Sequence, residues 1–311
     1  MLFRYFKGIN ISESISFFSE VASSAESMLL IGFIVLLSFA NWMIESYKWK
    51  FVISPLTKLP YTDALKSVLI GVFFSLFIPN RAGDFLGRVY SVPNSDKGKL
   101  SILTLLASYA QLLATLMFGA VGLTFFYFCY KDAFIQINLY LMLVLVCLWI
   151  ACLVGVIFYF KSSILATIGK NRKSRFVLRL KSWVEVLKNV HVFNLLAVLE
   201  LSILRYFIFS FQMWLCLKLV GVDLNSFDVF FFITVYYLVL TFIPTVVYTE
   251  IGIRGSLSIY LFGLLLYITG TPEYDYQFAV SFASVLVWIV NIVMPAILGS
   301  FYSRRLKFFK K

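Results

Sequence analysis

The stretch LFIPNRAGDFLGRVY, Leu76–Tyr90, closes an apolar run with a proline and places Arg81, Asp84 and Arg88 directly behind it. A second stretch, TFIPTVVYTEIGIRGS, Thr241–Ser256, does the same with Glu250 and Arg254. In each, the acid precedes an arginine by four residues, one helical turn, in the order that favours an ion pair. Proline stops a helix and strips carbonyls of their partners. At membrane depth that is tolerated only against protein or a wet cavity. How these two stretches meet a membrane decides the fold.

That there is a membrane follows from composition. The 311 residues are 61% hydrophobic and 14% charged, with a mean hydropathy of +0.91. A soluble domain carries roughly 25% charged and about 45–50% apolar residues, so this chain could not cover its own surface in water. The expected class is an all-α polytopic membrane bundle of about 6–8 hydrophobic segments. The net charge of +12 is read as basic residues beside spans meeting anionic lipid, not as a nucleic-acid footprint. Cys129, Cys147, Cys152 and Cys216 lie in apolar segments without a C-x-x-C or a nearby histidine. They read as small apolar filler, and no metal or cofactor is expected.

Apolar runs cover 28–44, 67–80, 101–130, 133–160, 192–217, 229–249, 255–272 and 276–303. A crossing helix needs about 20 residues, so 67–80 is short, and 229–249 is interrupted by Pro244. Basic residues crowd the loop after the first span (Lys48, Lys50, Lys58, Lys66), the connector 161–191 and the end of the chain, which orients these stretches to the cytoplasm. A crossing at 67–80 would put the first two on opposite sides, so 67–80 is read as re-entrant. The count does not distinguish two crossings from an external hairpin over 229–272. An odd number of spans (101–130, 133–160, 192–217) separates the two Ile-Pro stretches, which therefore approach the membrane from opposite faces. Similar elements in opposite orientation are the mark of an inverted repeat, whose members bind substrate near the midplane at short or broken helices; the match of Phe77-Ile78-Pro79 with Phe242-Ile243-Pro244 reads equally as such a duplication or as coincidence.

The expected organisation is an interfacial segment over 1–27, a membrane domain over 28–303 and a basic tail over 304–311. The membrane domain divides into halves 28–160 and 192–303 around the amphipathic connector 161–191. Residues 9–26 carry apolar positions at helical spacing and read as a helix on the membrane surface.

Pro79, Gly83 and Gly87, with Pro244, Gly252 and Gly255, are the structural residues of the two stretches. The glycines allow close backbone approach, and a restarting helix offers free N–H groups to an anion. Two readings of Asp84–Arg88 and Glu250–Arg254 stand: self-satisfied ion pairs at a membrane boundary, or arginines that hold a lipid phosphate with the acids orienting them. Arg81 serves equally as a positive-inside anchor or a site residue. Arg205 falls about 20 Å into its span, with Glu200 before it and Gln212 on nearly the same face. A charge at that depth is a functional hypothesis by default, against the alternative of a structural buried pair. Asn41, Glu45, Gln111 and Asn291 read as single interhelical hydrogen-bonding groups. No nucleotide loop, nucleophile elbow or zinc-protease motif occurs, so no catalytic residue is assigned.

At these residues the chain resembles the membrane region of the lysylphosphatidylglycerol synthases, also called flippase-like integral membrane proteins. The resemblance rests on Lys48-Trp49-Lys50 after a span, on Pro79-Asn80-Arg81-Ala82-Gly83-Asp84, and on Pro244 with Gly252-Ile253-Arg254. The chain departs from the family in placing Gly87 before a delayed Arg88, and Thr249-Glu250 where a Gly-Gly is usual. The family's soluble aminoacyl-transferring domain has no counterpart in these residues, so the resemblance implies lipid handling rather than lysyl transfer. Two functions are expected from it. One is translocation of an anionic lipid or lipid-linked head group at Arg81, Asp84, Arg88, Arg205, Gln212, Glu250 and Arg254 in a central cavity of a bacterial-type inner membrane. The other is an accessory subunit presenting lipid to a separate glycosyl- or aminoacyltransferase.

Overall fold

The computed structural model describes residues 24–78, 82–130, 138–162, 181–222, 224–244, 247–270 and 276–303. Arg81, Pro79 and most of the interfacial segment, connector and tail fall outside them. The described residues form helices α1 (Ala25–Ile53), α2 (Tyr61–Ser75), α3 (Ala82–Ser91), α4 (Lys97–Cys129) and α5 (Asn138–Phe160). They continue as α6 (Val192–Leu219), α7 (Ser226–Phe242), α8 (Val247–Thr269) and α9 (Gln277–Ser303). Helix α9 carries a π turn at Ile289–Val293.

Helices α1, α4, α5, α6, α8 and α9 are long and apolar enough to cross a membrane. The protein is an all-α polytopic membrane protein. Its large aliphatic and aromatic side chains are exposed all along α5, as lipid-facing surface requires. Local chemistry sets the helix starts. Ser24 accepts from the Ser27 amide, Asp96 from those of Gly98 and Lys99, and Asn225 from that of Phe227. These caps satisfy amides that a helix start leaves without partners. Helix α7 stops at Phe242, two residues before Pro244, as the missing donor demands.

The short segment around 67–80 is a helical hairpin. Helix α2 has 15 residues, about 22 Å at 1.5 Å per residue, less than the roughly 30 Å of a hydrocarbon core. Helix α3 folds back against it. The contact is backbone to backbone: a Cβ on Gly87 would lie 2.7 Å from the Gly71 Cα, and one on Gly83 would collide with the Phe74 carbonyl. The later stretch behaves differently. Helix α8 restarts at Val247 and runs 23 residues, so the segments 229–249 and 255–272 become one short helix and one long one. Gly255 makes its close approach, to Ser281 Oγ at 2.6 Å from an added Cβ, but a Cβ on Gly252 would meet no atom within 4 Å.

A two-fold pattern relates the halves. Helices α2 and α7 begin at Tyr61 and Ser226, and α3 and α8 at Ala82 and Val247, each pair 165 positions apart. Helix α1 packs on its counterpart α6 in antiparallel fashion, with Ile34 beside Gln212, Asn41 beside Arg205 and Lys48 beside Ser202. Exchange of the halves preserves the packing: α2 lies on α9, and α7 lies on α4. A glycine of the long helix makes both contacts, Gly299 against Leu69 and Gly122 against Thr234. Among the described residues helix α5 has no counterpart, and it rests mainly on α4.

Substituting Gly83 or Gly87 by Ala forces backbone apart within the hairpin. Each is expected to lower stability by about 1–3 kcal/mol, read as earlier thermal unfolding in detergent. Gly252→Ala, in open space within a helix, is expected to be neutral or stabilising by up to about 1 kcal/mol.

Candidate functional site

Helix α1 is lipid-apolar on one face and polar on the other: Ser38, Asn41, Glu45 and Lys48 are all buried. Their spacing of three and four residues puts them on one stripe, pressed against α6. The antiparallel pairing brings Arg205, from the middle of α6, opposite Asn41 and Glu45. From a third direction the glycine-packed hairpin delivers Arg88 on α3.

Glu45 is the hub. Its Oε1 accepts from Arg88 Nη1, and its Oε2 accepts from Arg205 Nη1. Lys48 Nζ lies 2.8 Å from Oε2, with a further bond of 3.3 Å to Ser202 Oγ. Arg88 reaches Asp84 with two parallel bonds, Nε to Oδ1 at 2.8 Å and Nη2 to Oδ2 at 2.7 Å, the fork geometry suited to a carboxylate or a phosphate. Arg205 donates through Nε to Asn41 Oδ1 at 2.9 Å and through Nη1 to Gln111 Oε1 at 3.3 Å, and lies over the rings of Trp42 and Phe209. The ion-paired members of this group are three cations and two carboxylates. Only Asp84 is substantially open, its side chain 30% exposed.

A chain of amides leads away along α1. Asn41 Nδ2 donates to Asn291 Oδ1 at 3.3 Å, Asn291 Nδ2 to Gln212 Oε1 at 3.1 Å, and Gln212 Nε2 to the Ile34 carbonyl at 2.9 Å. The π turn holds Asn291 there. It also presents the Val290 and Asn291 carbonyls sideways, where Ser38 Oγ (2.9 Å) and Trp42 Nε1 (3.0 Å) donate to them.

Among the residues expected from sequence, the structure joins Asp84, Arg88, Arg205 and Gln212 in one network. Glu250 and Arg254 form a second buried pair within α8, with Arg254 Nε and Nη2 donating to Glu250 Oε1 at 3.0 and 2.7 Å. Tyr236 of α7 lies beside that pair. Arg88, Arg205, Gln212, Glu250 and Arg254 are all buried, packed among helices. Glu200 is exposed and lies apart from Arg205 on its helix. Glu45 and Lys48 are the members that sequence reasoning undervalued. Their signal was the polar stripe Ser38, Asn41, Glu45, Lys48 on an otherwise apolar helix.

Removing the hub leaves three cations facing one another in a medium where an unpaired charge costs several kcal/mol. Glu45→Ala is expected to lose about 3–5 kcal/mol of stability, measured as yield and thermal unfolding in detergent. Glu45→Gln combined with Arg205→Gln is expected to recover part of the loss, because it removes the charge together with its counter-charge.

Searches of curated proteins and of solved structures returned no match to this chain. A family comparison did. Residues 2–299 match the family described as the lysylphosphatidylglycerol synthase TM region, so the buried ionic centre sits in a chain that belongs to that membrane family.

Proposed function

We propose that this protein moves an anionic lipid, or a lipid-linked anionic head group, across a bacterial-type inner membrane, with its C-terminus and the connector 161–191 on the cytoplasmic side. The observation that carries the reading is the convergence of Arg88, Arg205 and Lys48 on Glu45, buried where the hairpin helix α3 meets α1 and α6, both apolar enough to cross a membrane. Buried ionisable groups in such helices are costly and typically mark a substrate path. With three cations to two carboxylates, an arriving phosphate supplies the missing negative charge and finds arginine forks already oriented. Glu45 and Asp84 hold those forks until then. Arg254, in the second half, receives the head group on the far side of the two-fold.

In this reading the arginines must exchange a carboxylate for a phosphate, one charge-assisted bond for another, so entry costs less than exposing a bare cation would. The protein's part is binding and exposure to alternate sides. No bond of the lipid is made or broken, and no cofactor is required.

A second reading, in which the chain holds lipid for a separate transferase, draws on the closure of the site, since Arg88 and Arg205 are sealed from solvent. The two are separated by reconstituting the purified protein in vesicles with a fluorescent anionic phospholipid. Translocation predicts leaflet exchange that falls at least tenfold in Arg88→Gln and in Arg205→Gln. Absence of exchange by the wild type across anionic lipids, together with co-purification of a transferase, would establish the accessory role instead.

A further inference from the structure

The ion pairs around Glu45 are of two kinds. Asp84 pairs with Arg88 four residues later on α3, and Glu45 pairs with Lys48 three residues later on α1. Each of these is built within one helix and travels with it. The other two, Arg88 and Arg205 on Glu45, cross from one helix to another. Lys48 is held as closely as any member. Its side chain is 1% exposed, and its Nζ lies 2.8 Å from Glu45 Oε2 and donates to Ser202 Oγ at 3.3 Å. Full enclosure of a lysine is unusual, since its stem normally carries the ammonium out to water. Keeping Glu45 from being a bare charge does not require it, because two arginines already donate to that carboxylate. Among the described residues the ion-paired members are three cations and two carboxylates, so Lys48 tips the balance of the group.

We infer that Lys48 sets the charge selectivity of this site. By neutralising Glu45 from within α1, it leaves the two arginines matched by one carboxylate, Asp84, and therefore with one unit of positive charge for a ligand to balance. An arriving phosphodiester completes three cations against three anions. With a neutral residue at position 48, Glu45 belongs to the arginines and the group is balanced before any ligand comes. A further anion would then bring an uncompensated charge into apolar surroundings, where it is costly. Lys48 acts by way of Glu45 and touches no ligand, so it is a specificity-determining residue of the positioning kind. The inference rests on the reading of this protein as one that binds an anionic lipid.

The test compares two lipids of one chain length, titrated into the purified full chain in a non-ionic detergent. Dihexanoyl phosphatidylmethanol is anionic, and dihexanoyl phosphatidylcholine is zwitterionic with no net charge. The wild type should prefer the anion about tenfold or more, as one unmatched charge in a poorly screened site allows. Lys48→Gln should bring the two affinities to within about threefold of each other. That variant should fold and melt close to the wild type, because it leaves two arginines against two carboxylates. Lys48→Gln combined with Glu45→Gln leaves Arg88 and Arg205 against Asp84 alone, and should restore the preference for the anion. A lysine with only a structural role predicts no such return. A preference that survives Lys48→Gln, or that does not return in the double variant, overturns the inference and leaves anionic-lipid binding standing. Failure of Lys48→Gln to fold also overturns it, since the lysine would then be a structural counter-ion. A wild type that binds the two lipids equally, or neither of them, overturns the inference and the lipid reading together.

Discussion

A single carboxylate buried in apolar helices constrains the rest of this molecule. Glu45 cannot reach water, so it must be met by cations. Those it meets come from its own helix, from its repeat partner α6 and from the hairpin helix α3. Arg205 and Lys48 have no other carboxylate in this group, whereas Arg88 is held by Asp84 as well. The result is mutual dependence among elements that sequence separates by up to 160 positions. It fixes where α1 and α6 cross, and how deep the hairpin is drawn in. Hydrophobic contact alone cannot set either, because lipid competes equally well for apolar side chains.

The centre is built once, although the fold is built twice. The position 165 beyond Glu45 is Ser210, and the position 165 before Arg205 is Ala40. The second half thus keeps the helix plan, while Arg254 on its α8 pairs with Glu250 one turn before it.

Much of this was legible before the structure. The hairpin followed from a run too short to cross and a basic loop that could not change sides. Depth alone marked Arg205, and the proline at 244 ended its helix as expected. Glu45 and Lys48 were not read as a site for a definite reason. Lys48 stands at the end of a hydropathy window, where a lysine is ordinarily an anchor at the surface. Helix α1 in fact continues to Ile53 and carries it inside. Glu45 was read as a lone polar group because its partners are non-local, and no window along the chain contains them. Glu200 misled in the opposite way, being near Arg205 in sequence and turned outward in space.

The π turn in α9 has a geometric consequence for register. Buried positions along this helix, Ser284, Trp288, Ile292 and Ala296, recur every four residues. An α-helix returns after only about 3.6, so the stripe would precess by roughly 40° per step and slide off its neighbours. The wider π turn absorbs that drift midway. The helix packs on α8 before the turn and on α2 after it. The turn is therefore a phase corrector as well as a ligand shelf for Ser38 and Trp42. Deleting one residue there would hardly shorten the helix, but it would rotate everything beyond by about 100°. Gly299 would swing away from Leu69, and the hairpin that carries Arg88 would lose the surface it leans on.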